Sequence, residues 1–583
     1  MILTGSTIAP GIAYGPALVW TRSSVPMPRR EISRASIPVE ERRLEHALGR
    51  ARQELDQIAI RVERSAGASA AAIFRAHELM LEDPSFVAAI RRRINEECWA
   101  AESAVSLTVD ELVQRFQQLD SSYLAARDAD IAEIGRRLLA HLHQEGHQEG
   151  VRLLSPGILV VENPTAADVM ELDRTHLLGL VMLQSGATSH AALLASTLGV
   201  PVVGGLPQLA EHVHDGEILV VDGNHGQVIV QPSKLALREY AIRREIFQRF
   251  RSELADLRDA PAVTQDGRRV RLQANIGLAQ EVPQALAQGA EGIGLLRTEY
   301  FYLAHREPPD EEEQYLFYRS VIEALGNRPV TFRTFDLGGD KLSMVTSTAE
   351  DNPMLGCRGI RLFTEYPELM AVQVRALLRA SAHGPIRIMF PLLTGLTEFQ
   401  DTMHIVDRWK RELRARSTAF DPGVPFGCMI ETPGAATISD LLASDVEFFS
   451  IGSNDLIQYT LAADRTNPRV SHIYEPLHLG VLRLLRTIIH AGHRKERPVS
   501  VCGEMASDPI YTIILLGMGI DELSVNPIML PAVKQVIRGV TFAEAREVAR
   551  GVLRERRAKD VQAYLEKMMV RRFPELMSVY GSV

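Results

Sequence analysis

The chain has 583 residues, room for several domains. Hydrophobic residues make up 46% and charged residues 23%, the balance of an ordinary soluble globular protein. A net charge of −9 lacks the basic excess of a nucleic-acid binder, and no apolar run approaches the roughly 18 residues needed to span a bilayer. The four cysteines (Cys98, Cys357, Cys428, Cys502) are far apart, with no metal-type or redox spacing, which suits a reducing cytoplasm. The N-terminus lacks a basic region followed by an apolar core, so no signal peptide is expected. Patterns G-x-x-x-x-G-K-S/T, H-E-x-x-H and G-x-S-x-G are absent, and the pairs Gly292/Gly294 and Gly517/Gly519 lack the third glycine of a dinucleotide fingerprint.

In chain order, residues 1–20 read as a short β segment with turns at Pro10-Gly11 and Gly15-Pro16. Residues 22–38, rich in Pro, Ser and Arg, read as a linker. From 39 to 145 the pattern is helical: Leu44, Leu48, Ala51, Leu55, Ile58 and Val62 form one apolar stripe. Further helical stretches follow at about 69–82, 85–97, 101–118 and 122–143, with Asp83-Pro84 between two of them. Residues 151–231 switch to short β-rich runs separated by glycine turns, a small α/β domain that the N-terminal segment completes. The expected organisation is therefore 1–21 with 146–231 as one α/β domain, 36–145 as a helical-bundle insert, 232–260 as a linker helix and 261–583 as a barrel. Eight candidate strands lie in that last part: Val270–Ile276, Gly292–Leu296, Val330–Asp336, Ile386–Leu392, Phe426–Glu431, Val446–Gly452, Val499–Gly503 and Glu522–Val525. Each is followed by a helical stretch, the pattern of a (β/α)8 barrel, and the fold class is multidomain α/β.

Within the α/β domain, Gly186-Ala187-Thr188-Ser189-His190 runs into an apolar helical stretch that Gly199 and Pro201 end. His190 then lies in the first turn of a helix, where backbone N–H groups and the dipole disfavour imidazolium and favour an attached anion. A neutral imidazole there is a nucleophile able to carry a phosphoryl group. Taken alone, any one of the 17 histidines reads as a surface side chain.

The barrel strands end in polar, reactive residues, and barrel active sites lie at those ends. Arg297, Arg333, Arg358 and Arg465 suit a guanidinium cage for a substrate bearing phosphate and carboxylate. Glu431 and Asp455 are hard oxygen ligands suited to Mg2+. Cys502 is placed to deliver a proton. Each residue by itself has a bland reading, an ion pair or a buried small hydrophobe. Their shared position on one rim gives the set its meaning: a site that stabilises an enolate and protonates it.

Several stretches carry a resemblance across essentially the whole chain. They are Ala9-Pro10-Gly11-Ile12-Ala13-Tyr14-Gly15, Leu79-Met80-Leu81-Glu82-Asp83, Thr188-Ser189-His190-Ala191 and Gly294-Leu295-Leu296-Arg297-Thr298-Glu299, with the run from Phe448 to Thr460 and Cys502-Gly503-Glu504. The chain resembles the enzyme I family of the bacterial sugar phosphotransferase system, among the phosphoenolpyruvate-utilising enzymes. That resemblance implies that His190 takes the phosphoryl group of phosphoenolpyruvate on its tele nitrogen and passes it to the carrier protein HPr. It implies that Arg297, Arg333 and Arg465, with Asn454 and Asp455, bind phosphoenolpyruvate, that Glu431 and Asp455 hold Mg2+, and that Cys502 protonates the enolate to pyruvate. It also implies that the helical insert docks HPr, that the barrel forms a homodimer in the cytoplasm and that the His190 domain swivels between them. Ser185, Ala187 and Ser196 depart from the pattern, removing two arginines usual around the histidine. Two alternatives stand beside this reading. One is a regulatory or paralogous relative with weak transfer. The other, a phosphoenolpyruvate synthase or pyruvate phosphate dikinase type of enzyme, is disfavoured because the chain has no room for a nucleotide-binding domain.

Overall fold

The computed structural model describes all residues except 21–28, 67–73, 76, 79, 118–124, 143–152, 154, 165–167, 170–171, 173–174, 185–189, 196–197, 304–307, 338–349, 466, 468 and 581–583. Ser185, Ala187 and Ser196 therefore lie outside the described residues. The chain divides into two compact units, with the boundary between Gln248 and Arg249.

The first unit is built on an eight-stranded sheet. Its strands are β1 (Ile2–Thr4), β2 (Ser6–Ala9), β3 (Ile12–Trp20), β4 (Gly157–Val161), β5 (Leu177–Met182), β6 (Val202–Gly204), β7 (Ile218–Asp222) and β8 (Gln227–Val230). Their order is β1-β8-β7-β3-β4-β5-β6-β2, so the N-terminal segment supplies both edges and a central strand. β3 pairs parallel with β4 on one side and antiparallel with β7 on the other. The apolar runs read from the sequence are buried on both faces: Leu159, Leu180 and Val202 face one core, Ile158, Val181 and Val203 the other. A helix begins at His190 and runs to Ala195, with Ala191, Ala192 and Ala195 packed into the first of these cores. Leu198 joins the same core, and Gly199 then turns the chain at φ +80°.

The helical insert lies between β3 and β4. It contains helices Ile37–Ala66, Pro84–Asn95, Ala101–Gln117 and Ala125–Leu142. Leu44, Leu48, Ala51, Leu55 and Ile58 are buried along the first helix, against Ile90, Ile94, Val105, Ile134 and Leu138 from the other three. The side chain of Val62, the sixth member of the expected stripe, lies outside the described residues, as does part of the stretch expected at 69–82. Asp83-Pro84 starts the second helix: the Asp83 carboxylate accepts the Ser85 N–H at 2.8 Å, and Pro84 sits where its missing N–H has no consequence. Glu54 ties the first helix to the last, accepting from Arg137 and lying 2.7 Å from His141 Nε2. A 23-residue helix, Lys234–Asp256, follows β8.

The second unit is a closed barrel of eight parallel strands: β9 (Arg271–Ile276), β10 (Ile293–Arg297), β11 (Val330–Arg333), β12 (Ile386–Phe390), β13 (Phe426–Ile430), β14 (Phe449–Ile451), β15 (Val499–Val501) and β16 (Glu522–Val525). They follow one another around the barrel in chain order, and β16 closes on β9. Inside, Leu295, Met389, Met429, Phe448 and Cys502 form one apolar cluster. Several strands are shorter than their sequence patterns suggest. β11 stops at Arg333 rather than Asp336, and β12 stops at Phe390 rather than Leu392. β14 spans Phe449–Ile451 instead of Val446–Gly452. The reason is visible in the backbone donors. Phe335 N–H goes to Gln373 Oε1, Asp336 N–H to Glu299 Oε1 and Leu392 N–H to Glu431 Oε1. Side chains rather than neighbouring strands satisfy these groups, so the ladder ends and the rim begins.

Candidate active site

The rim is organised first around β10 and β11. Gln373, fully buried on the helix Pro367–Ala380, donates to Thr298 Oγ1 at 2.9 Å and accepts the Phe335 N–H at 2.9 Å. Thr298 Oγ1 in turn donates to Arg333 O at 2.9 Å. One amide thus fixes the ends of two strands. Beyond them Arg333 lies 3.2 Å from Glu299 and 3.4 Å from Asp336. Burial alone would weaken its proton affinity, but Glu299, Asp336 and Glu431 outweigh it and hold the guanidinium firmly charged. Its Nε is buried and has no acceptor among the described residues.

Arg358 meets Asp336 through two parallel hydrogen bonds, Nε to Oδ1 at 2.9 Å and Nη2 to Oδ2 at 2.7 Å. Its Nη2 also lies 3.5 Å from Asp455. The following residue must be glycine. Gly359 has φ +60°, and a Cβ there would stand 2.7 Å from Leu392 Cβ. Leu392 is itself at φ +58°, an uncommon state for a branched side chain that costs on the order of 1–3 kcal/mol. That conformation aims its N–H at Glu431, 2.6 Å away.

Glu431 is a strongly perturbed acid of the rim. Burial, then Asp455 and Asp336, push its carboxyl well above the ordinary range, against Arg333 and the Leu392 N–H. Gly452 leaves room for it, because a Cβ at that position would come within 2.6 Å of Glu431 Oε2. A dry, carboxylate-rich corner of this kind fits a divalent cation, which would remove the repulsion that raises the pKa. Mg2+ accepts one or two protein carboxylates completed by substrate oxygens and water. Among the described residues no group of three or more His, Cys, Asp or Glu side chains forms a metal cage. Glu431 and Asp455 are the two carboxylates of this corner that a divalent cation could share with a substrate.

Cys502, just past β15, is 2% exposed. Ser450 Oγ donates to its Sγ at 3.1 Å. Burial pushes the thiol up to about 11, with Ser450, Arg333 and Arg297 acting in the opposite sense and Glu431 adding to the rise. It is a protonated thiol at neutral pH and, in chemical terms, an acid. Arg297 caps β10, half-buried. Across the rim, Asn454 and Asp455 lie in the first turn of the helix Ser453–Leu461. Asn454 donates to Glu504 Oε1 at 2.9 Å and accepts the Glu504 N–H at 2.9 Å. Arg465 Nη1 donates to the same Glu504 oxygen at 2.8 Å.

All eight barrel residues selected from the sequence therefore lie on one rim. Arg333, Arg358, Glu431 and Asp455 are joined by ion pairs and mutual electrostatics, Cys502 lies beneath them, and Asn454 and Arg465 meet at Glu504. His190 belongs to the other unit, at the start of its helix. Glu299, Asp336 and Glu504 join the rim beyond the residues expected from the sequence. The available signal was charge balance: four arginines on one buried rim need carboxylates beside them.

Residues 251–542 match the family described as PEP-utilising enzyme, PEP-binding domain. Residues 4–127 match the N-terminal domain of such enzymes and 154–226 their mobile domain. The chain belongs to the PEP-utilising enzyme family. Within the family it is 38% identical over 570 residues to a phosphoenolpyruvate-protein phosphotransferase of Geobacillus stearothermophilus, covering 97% of each chain. It is 39% identical over 510 residues to one of Staphylococcus carnosus (strain TM300), covering 86% of this chain and 88% of that one. A Haemophilus influenzae relative of the same name is 35% identical over 570 residues, covering 98% and 99%. This PEP-utilising enzyme therefore spans nearly the full length of those relatives.

Proposed function

We propose that the protein is a phosphoenolpyruvate–protein phosphotransferase that phosphorylates its own His190 and then passes the group to the carrier HPr, opening a sugar phosphotransferase relay. The observation that carries this reading is the rim itself: buried guanidinium groups and a carboxylate pair close to a protonated thiol, in a chain similar over nearly its whole length to enzymes of that name.

In this reading Arg297, Arg333 and Arg465, with Asn454, bind the phosphate and carboxylate of phosphoenolpyruvate. Arg358, clamped to Asp336, holds Asp455 in place. Glu431 and Asp455 would hold Mg2+, which when bound offsets charge on the phosphate and enolate oxygens. The bond from phosphorus to the enol oxygen breaks as the tele nitrogen of His190 forms a bond to phosphorus. The electron pair left on oxygen becomes the pyruvate carbonyl while the methylene carbon takes the Cys502 proton. Protonation traps the product as the ketone. Rigid, pre-placed guanidinium and amide groups act here by positioning and charge stabilisation.

HPr docking on the helical insert, a homodimer through the barrel and a cytoplasmic location complete the proposal. No helix among the described residues is long and apolar enough to cross a membrane. The test is a chase. Enzyme labelled from [32P]phosphoenolpyruvate should lose its acid-labile label to added HPr. Label retained on the enzyme in the presence of HPr would reject the relay role.

A further inference from the structure

The end of the barrel opposite the rim carries a cavity of about 410 Å3 that no step above uses. Arg268 and Asp521 lie just ahead of β9 and β16, and Asp521 Oδ2 accepts the N–H of Val499, the first residue of β15, at 3.0 Å. These are the strands' N-terminal ends. Helices Leu479–Arg494 and Phe542–Val552 supply the walls.

The lining is cationic. Arg268, Arg486, Arg546 and Arg550 contribute guanidinium groups, and His490 and His493 contribute imidazoles. Two of the guanidinium groups are compensated. Arg268 pairs with Asp521 at 2.8 Å, which also meets His493 at 2.9 Å, and Arg550 pairs with Glu547 at 2.5 Å. Arg486 and Arg546 have no carboxylate partner among the described residues. Phe542 adds an apolar plane, with Arg268 and Arg546 at 5.6 and 5.8 Å from its ring centre. His490 senses the resulting field: burial first, then Arg486, His493 and Arg494, push its imidazole below the usual value.

We propose that this pocket binds a compact small molecule carrying two or more phosphate or carboxylate groups. The two uncompensated guanidinium forks match such groups bidentately. The volume is that of a small-molecule site. The residues involved are separate from the rim, so this site stands or falls independently of the proposed phosphotransfer.

The test uses the full-length chain with 13C-labelled histidine, without added Mg2+, titrated with inorganic pyrophosphate and, separately, citrate. The His490 Cε1–H resonance, assigned by its loss in His490→Gln, is the local reporter. At least one anion should shift it saturably. The Arg486→Gln/Arg546→Gln variant should bind roughly tenfold or more weakly, with melting temperature and phosphoryl uptake unchanged. The single exchange Arg486→Gln, on an exposed helix face, should fall between. A resonance that neither anion moves in the millimolar range, or a shift of equal midpoint in the double variant, would overturn the site.

Discussion

Arg358 and Asp336 are joined by a fork of two near-parallel hydrogen bonds at 2.9 and 2.7 Å, both side chains being less than a tenth exposed. A fork fixes orientation as well as charge, and lysine cannot reproduce it. Arg358→Lys should therefore release Asp336 and Asp455 together. A buried charge-assisted hydrogen bond contributes about 1.5–3 kcal/mol, so kcat/KM for phosphoenolpyruvate should fall roughly 10- to 100-fold. Steady-state kinetics check this, and a value within twofold of the parent would mean that the fork is only structural.

Glu431 makes a prediction about stability. Its carboxyl titrates above its ordinary value in the folded protein, so the folded state binds more protons than the unfolded one at pH values between the two. Metal-free stability should accordingly decline as pH rises from the ordinary carboxylate range through the raised pKa. Glu431→Gln should flatten that decline and raise the metal-free melting temperature, while cutting turnover and removing the stabilisation that Mg2+ gives the parent. Melting curves across pH, with and without Mg2+, decide it. A variant that melts lower and still responds to Mg2+ like the parent would contradict the assignment.

Cys502 should behave as an acid and not as a reactive thiolate. With the thiol pushed up to about 11, iodoacetamide labelling of Cys502 itself, read by peptide mapping of the metal-free protein, should be slow at pH 8 and rise only toward that value. Cys502→Ala should slow pyruvate formation by about 10²–10⁴ while leaving phosphoenolpyruvate affinity within a few fold. Rapid labelling near pH 8, or an unchanged pyruvate rate, would assign the proton to another donor.

The strand ends explain what the sequence made legible. The eight strands and the apolar stripe through Leu44, Leu48, Ala51, Leu55 and Ile58 are local periodicities, and burial follows directly from them. Arg333, Glu431 and Cys502 stood out because reactive residues at strand ends share a rim in any barrel. Gln373 did not, because nothing in its helical surroundings signals that its amide reaches Thr298, 75 positions away. Asp336 and Glu299 read locally as ordinary acids, and their roles appear only when β10 and β11 are paired. The early ends of β11 and β12 have the same origin: the carboxylates and amide that capture their N–H groups come from other strands and a helix.

Glu504 occupies two of the groups proposed to bind the substrate, through Asn454 at 2.9 Å and Arg465 at 2.8 Å. Its side chain is 75% exposed, so the competition it offers is weak. Glu504→Gln should tighten phosphoenolpyruvate binding about two- to fivefold, the range of a solvated ion pair. Weaker binding in the variant would show instead that Glu504 is needed to orient Asn454.

The central claim is that His190 carries the phosphoryl group. It is tested most directly by incubating parent and His190→Ala proteins with [32P]phosphoenolpyruvate and Mg2+, then measuring acid-labile, base-stable label. The parent should take up label and lose it to pyruvate on reversal. The variant should take up none while still binding phosphoenolpyruvate, because the barrel supplies the binding groups. Acid-labile label on the variant at the parent's level would place the phosphoryl group on another histidine and contradict the account.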